Sequence, residues 1–315
     1  MKNITALTAL VTIIISLSAI NAAWCQEENS ERNYAFSLGT QFGFVHGMAL
    51  EYVYPTDTKG ELLSELTWGM KPVFYYGFQF DLSRIDLMSS PGFFASASLK
   101  VGIPGDSGVM EDRDWMSTEN DDLTHFSHHT NKTREFLWLD AAVGASIPVR
   151  SLFYLKPFIS GSWMHFSFTG RDGYGEYPSE TTSFEGMEVI RYKQDWFLIA
   201  TGLSVGTDLF SPFSFNLSFQ MSPLTYCAAM DEHLVPSPTT FLDFTYWGLF
   251  IEPGASVSFT LNRFEFSFEF AFRYIGRTRG ESLKKSDVSE YYFSNGEAGA
   301  GLSLSRSSLF VRLRI

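Results

Sequence analysis

From position 264 to 274, aromatic residues alternate without interruption. Phe264, Phe266, Phe268, Phe270, Phe272 and Tyr274 share one phase, and Glu265, Ser267, Glu269, Ala271 and Arg273 take the other. A side-chain period of two belongs to an extended strand, so no helix can make this stripe. A face carrying five phenylalanines needs an apolar cover, because left in water it would be an aggregation hazard. The same period runs from Tyr34 to Phe44, where Phe36, Leu38, Phe42 and Phe44 alternate with Ala35, Ser37, Gly39, Gln41 and Gly43. Similar runs lie near 73–82, 93–103, 135–147, 153–168, 192–207, 213–221, 248–261 and 299–314, which makes about ten strands.

Composition narrows what can cover those faces. Aromatic residues make 17% of the 315-residue chain and charged residues only 18%. The mean hydropathy is -0.02, and after the N-terminus no long apolar run follows, which excludes a helical membrane protein. At that N-terminus, Met1, Lys2 and Asn3 precede an apolar run from Ile4 to Ile20 and the small residues Ala22 and Ala23, the layout of a secretory signal peptide. Cleavage after Ala23 removes one charged residue, Lys2, and takes the formal net charge from -12 to -13. Charge of that sign argues against nucleic acid as a partner. Export makes a disulfide between Cys25 and Cys227 chemically possible, but one pair joining remote segments is a poor framework for a chain of this size. Ala22, Ala23 and Trp24 also fit a lipid-attachment pattern at Cys25 poorly.

Short connections near 83–86, 148–152, 208–212 and 262–263 alternate with long polar ones near 55–66, 104–133, 170–190, 223–246 and 275–297. Turns on one side, loops on the other, an even strand number and an export signal predict an all-β fold: a ten-stranded antiparallel transmembrane β-barrel with long extracellular loops. Closure leaves no unpaired backbone edge in lipid. The division is a signal peptide over 1–23 and a single barrel over 24–315. The Phe-rich face then covers acyl chains, and Glu265, Glu269 and Arg273 point into a wet lumen where they can pair. A soluble secreted β-sandwich is the competing architecture, and the bare phenylalanine face speaks against it.

Chemistry gathers in the predicted loops. In an extended segment Asp112 and Asp114 face the same way, and two carboxylates that close share a proton readily. Asp231 and His233 have the same spacing. A carboxylate beside an imidazole fixes its tautomer and stabilises its charged form, which suits a general base. If the two segments face one another across the barrel mouth, a water between them could lose its proton to His233. Each motif alone also fits a solvated loop or a loose cation site. His128, His129 and His233 offer zinc-type ligands, but their spacing matches no closed structural site, and no metal is expected. One difficulty concerns phase: the odd positions from Phe213 to Met221 are apolar and outward, so strict alternation would aim Asp231 and His233 outward too, unless Pro223 resets it. On the other side the even positions Ser96, Ser98 and Lys100 face inward, as would Asp112 and Asp114, although Pro104 intervenes.

Several separated motifs resemble those of the omptins, outer-membrane endopeptidases of Gram-negative bacteria. In order these are Ser37–Thr40; Glu51, Val53 and Tyr54; Met110, Asp112, Asp114, Trp115 and Met116; Ser167–Thr169 and Arg171; Tyr192–Gln194; and Asp231–His233. The resemblance implies a ten-stranded barrel with its active site in a groove at the extracellular rim. It also implies a water nucleophile, activated by His233 with Asp231 behind it, while Asp112 and Asp114 hold the water and stabilise the oxyanion. In the family's acidic pocket for a basic substrate residue, one acid corresponds to Glu51 and the second position falls on Ala229. His129 aligns with a family histidine near the cleft. The positions aligned with the family's lipopolysaccharide site are Trp163, His165 and Asp195, which make no cationic phosphate clamp, so no cofactor is expected. The chain ends in Ile315, where family members usually end in an aromatic residue. The expected partners are peptide or protein substrates and outer-membrane lipid, around a monomer. An adhesin that has kept these residues and a passive channel are the rival functions.

Overall fold

The computed structural model describes residues 34–55, 62–84, 91–117, 122–149, 153–286 and 289–315. The predicted signal peptide over 1–23 and Cys25 lie outside them. Ten antiparallel strands follow one another around a ring: β1 (Tyr34–Val53), β2 (Ser64–Arg84), β3 (Gly92–Gly102 and Gly105–Asp114), β4 (His125–Val149), β5 (Phe153–Glu176), β6 (Glu188–Phe210), β7 (Phe213–Ser222 and Thr225–His233), β8 (Thr239–Tyr246 and Phe250–Leu261), β9 (Phe264–Ile275 and Arg279–Ser286) and β10 (Ser289–Arg314). Each strand pairs with the next, and β10 closes the ring on β1 from Ser37↔Arg314 to Val53↔Ala298. Outside the ring, the short strand Thr181–Ser183 pairs with the end of β5.

The phenylalanine stripe of β9 faces outward as its period predicts. Phe264, Phe266, Phe268 and Phe270 are exposed, while Ala271 and Arg273 on the other phase are buried. The lumen is filled in two layers. Lower down, charges interlock: Lys100 Nζ lies 2.8 Å from Asp140 Oδ2, Arg273 pairs with Glu252, Arg306 with Glu269, and Arg312 Nη1 lies 2.6 Å from Glu265 Oε1. Above them comes an aromatic plug in which Trp68 stacks on Tyr192 at 5.3 Å between ring centroids and on Phe168 at 5.7 Å. Gln194 and Trp196 sit beneath it, the indole N–H donating to the amide oxygen at 2.9 Å.

Segments read above as long loops are largely strand. A transmembrane β-strand needs about 9–11 residues, whereas β4 has 25 and β10 has 26. The ladders therefore continue well past an outward girdle that includes Trp163, Tyr226, Tyr246 and Trp247. Above the girdle water replaces lipid, so the outer face no longer has to be apolar and the period fades from the sequence while the hydrogen bonding persists. Asp112, Asp114, Asp231 and His233 accordingly lie on strands and not on loops.

Candidate active site

Small irregularities in the ladders decide where the candidate acids point. Along β7, Met221 pairs with Thr201 and Thr225 with Leu198, so four steps on β7 run against three on β6. The surplus residue lies at Pro223–Leu224, where the Leu224 amide donates to Ser222 Oγ at 2.8 Å instead of joining the ladder. An odd surplus exchanges the two faces. Met221 is outward and exposed, yet Thr225, Cys227, Ala229 and Asp231 are all buried on the inner face. Pro223 does reset the phase.

Along β3 the phase changes twice. The buried positions run Lys100, Ser107 and Met110, switching from even to odd beyond Pro104 and back to even at Gly108. Gly108 has a φ of 109°, a left-handed conformation that glycine tolerates, and the ladder with β4 shifts register there. The two changes cancel, and Asp112 and Asp114 face inward.

These residues, from β3 and β7, line one cleft of about 430 Å³ together with Glu51 of β1 and Ser64 of β2. His233 Nε2 donates to Asp231 Oδ2 at 2.7 Å, and the Ser64 hydroxyl donates to Asp112 Oδ1 at 3.0 Å. The pairs also feel one another's charge. Burial opposes the imidazolium of His233, but Asp231, and after it Asp112 and Asp114, carry its pKa up to about 9. Burial and then Asp114 push the Asp112 carboxyl up to about 8, against the pull of His233 and the Ser64 hydrogen bond. Asp114 is raised by burial, with Ser64, His125 and His233 holding it back. Glu51 is 3% exposed, and burial, followed by Asp231, Asp243 and Asp112, holds its carboxyl well above the usual range.

His129 lies elsewhere. It is buried, with Nδ1 2.6 Å from the Asp172 carbonyl, Nε2 3.1 Å from Ser127 Oγ, and its ring against Phe184, so it ties β4 to the connection that follows β5. His128 lies 3.6 Å from Glu111 and stacks on Tyr174. Trp163 and His165 both bond to Asp195, and His165 reaches Glu135 at 3.0 Å, so the exterior patch at the lipid-aligned positions gathers two carboxylates.

The omptin family model matches residues 32–314, nearly the whole described barrel. The chain belongs to the omptin family. It is 26% identical over 263 residues to the plasminogen activator of Yersinia pestis, an alignment that covers 80% of each chain. Its fold superposes on the outer membrane protease OmpT from Escherichia coli with a TM-score of 0.81, at 18% identity, over 92% of this chain and 99% of that one. Omptins are outer-membrane proteases whose active site faces the exterior, and this omptin presents its cleft at the end of the barrel beyond the aromatic girdle.

Among the residues of this omptin's cleft that the sequence did not single out are Ser64 and Asp243. Ser64 sits directly across the ladder from Asp114 at the start of β2. Asp243 lies on β8 within a stretch read as loop, although Phe241, Asp243 and Thr245 alternate with Leu242, Phe244 and Tyr246. That short period, following the Asp231–His233 motif after a Pro-containing turn, was the available signal.

Proposed function

We propose that this omptin is an endopeptidase in which His233 takes a proton from a water held between it and the Asp112–Asp114 pair. The observation that supports this best is that the two pairs, brought by β3 and β7, line one cleft and perturb each other's protonation. His233 gives its Nε2–H to Asp231, which leaves Nδ1 as the nitrogen for the water. The water oxygen attacks the scissile carbonyl carbon as His233 receives its proton. The neutral Asp112 carboxyl, favoured by burial and by Asp114, donates a hydrogen bond to the developing oxyanion. Collapse then breaks the C–N bond, and His233 returns the proton to the leaving amine. No covalent intermediate forms. Neither a metal nor a lipid cofactor takes part, so full activity is expected in excess chelator; loss of activity that added zinc restores would reject this.

Glu51 is assigned to binding the substrate, facing a positively charged side chain. A channel is disfavoured by the charged layer and the aromatic plug across the lumen. An adhesin with an idle cleft is the remaining rival, and turnover of unstructured peptides by refolded protein decides against it.

Two further results are expected. Deleting Leu224 removes the surplus residue of β7 and leaves three steps against three on β6, so Met221 should stay outward and positions 225–233 should keep their inward phase on a regular ladder. The variant should assemble and still cleave peptide, and a folded variant without turnover would show that the bulge does more than set the phase. Asp114→Asn removes a negative charge that raises both His233 and Asp112. Because both groups are raised in the wild type, the pH profile of kcat/KM should lie on the alkaline side of neutrality, rising as His233 loses its proton and falling as Asp112 does. In Asp114→Asn both limbs should move to lower pH. A profile that keeps its position would detach Asp114 from the reacting groups.

A further inference from the structure

The cleft holds more buried carboxyl groups than the reaction uses. Glu51 and Asp243 are 3% and 5% exposed, and Glu51 Oε2 and Asp243 Oδ1 are buried without a hydrogen-bond partner. Both side chains line the same cleft as the Asp231–His233 pair, and each is raised by the charge of Asp231. Asp243 accepts a hydrogen bond from Ser282, its direct partner on β9. Lys284 also lines the cleft, but it is exposed, and its ammonium stands over the Phe241 ring at 5.3 Å from the centroid. A buried carboxylate with an unsatisfied oxygen is costly unless a cation completes it, and here the open side of the cleft is where one can enter.

The ladder explains how Asp243 reaches this place. It pairs directly with Ala229 across β7 and β8, and Ala229 lies two residues before Asp231 on the inner face. The acid that is missing from β7 is thus supplied, one strand over, by β8. We propose that Asp243 is a specificity residue: together with Glu51 it receives the ammonium or guanidinium of the substrate residue bound beside the scissile bond. This deepens the peptidase reading and rests on it. Burial, eased by Ser282 and reinforced by Asp231, leaves the Asp243 carboxyl at about 7, as expected of a site whose counter-ion arrives with the substrate.

The test compares kcat/KM for two unstructured peptides that differ only in having Arg or Gln before the cut. The wild type should favour Arg, and Asp243→Asn, which keeps the shape, should lower the Arg/Gln ratio by about tenfold or more, as for a desolvated charge pair that loses one partner. Asp243→Glu should keep most of the ratio, which separates lost charge from disturbed packing. Adding Ala229→Asp to Asp243→Asn should restore the ratio by moving the acid back across the ladder. An unchanged ratio in Asp243→Asn overturns the assignment, as does failure of Ala229→Asp to restore it. A wild type that cleaves neither these peptides nor a broader peptide library would overturn the peptidase reading itself, and this assignment with it.

Discussion

His233→Ala is expected to lower kcat for peptide cleavage by about 10²–10⁴-fold, the usual contribution of a positioned general base. Asp231, at 2.7 Å, favours the imidazolium most, and Asp114 adds to it across the cleft, while Asp112 is the neutral partner in the reacting form. A base surrounded in this way loses little when it takes a proton, and the charge it acquires is already compensated. His233 is also the most exposed of the dyad, its side chain 38% accessible against 3% for Asp231, so its removal should leave the barrel folded. Turnover of a fluorogenic peptide by refolded protein, with far-UV circular dichroism on the same sample, separates chemistry from folding. A kcat within a few-fold of wild type would remove His233 from the mechanism.

The second large effect falls on stability. Asp140 joins both sides of the charged layer: it accepts from Lys100 Nζ at 2.8 Å, Trp138 Nε1 at 2.7 Å and Ser162 Oγ at 2.5 Å, with Arg273 at 3.5 Å and Arg306 at 3.7 Å. Arg273 and Arg306 have second acids in Glu252 and Glu269, whereas Asp140 is the one carboxylate paired with Lys100 among the described residues. Asp140→Ala strands a buried ammonium that is 2% exposed, and the expected loss is about 3–5 kcal/mol, the cost of breaking a buried pair from one side. The urea midpoint of unfolding in lipid reads it. Lys100→Met in the same background should recover most of the loss, since no buried charge is then stranded, although the Trp138 indole N–H lacks its acceptor. An unchanged midpoint in Asp140→Ala would mean that lumen water already screens these charges.

Where lipid imposes a period, the fold is legible in the sequence. The stripe from Phe264 to Tyr274 and the shorter one from Tyr34 to Phe44 identified strands, faces and the barrel, because an outer face in acyl chains has to be apolar. Above the girdle that constraint ends, and Thr225–His233, Thr239–Tyr246 and Arg279–Ser286 read as loops although they are strands. The four proposed reacting groups were found from their spacing of two, which survives because the backbone there is indeed extended. Their direction depended on bulges at Pro223–Leu224 and Gly108, of which only the prolines near them gave warning. For Asp243 a short local period was present, but its relation to Ala229 is a cross-strand register, and no local pattern carries that.

Asp112 and His233 are proposed to act on one water from opposite strands. The cycle of Asp112→Asn, His233→Ala and the double variant measures this directly through kcat. Groups that serve a single water fail together, so the double variant should be little slower than His233→Ala alone. Losses that multiply, with the double variant slower by the product of the two single effects, would mean that the pairs act independently and would contradict the account.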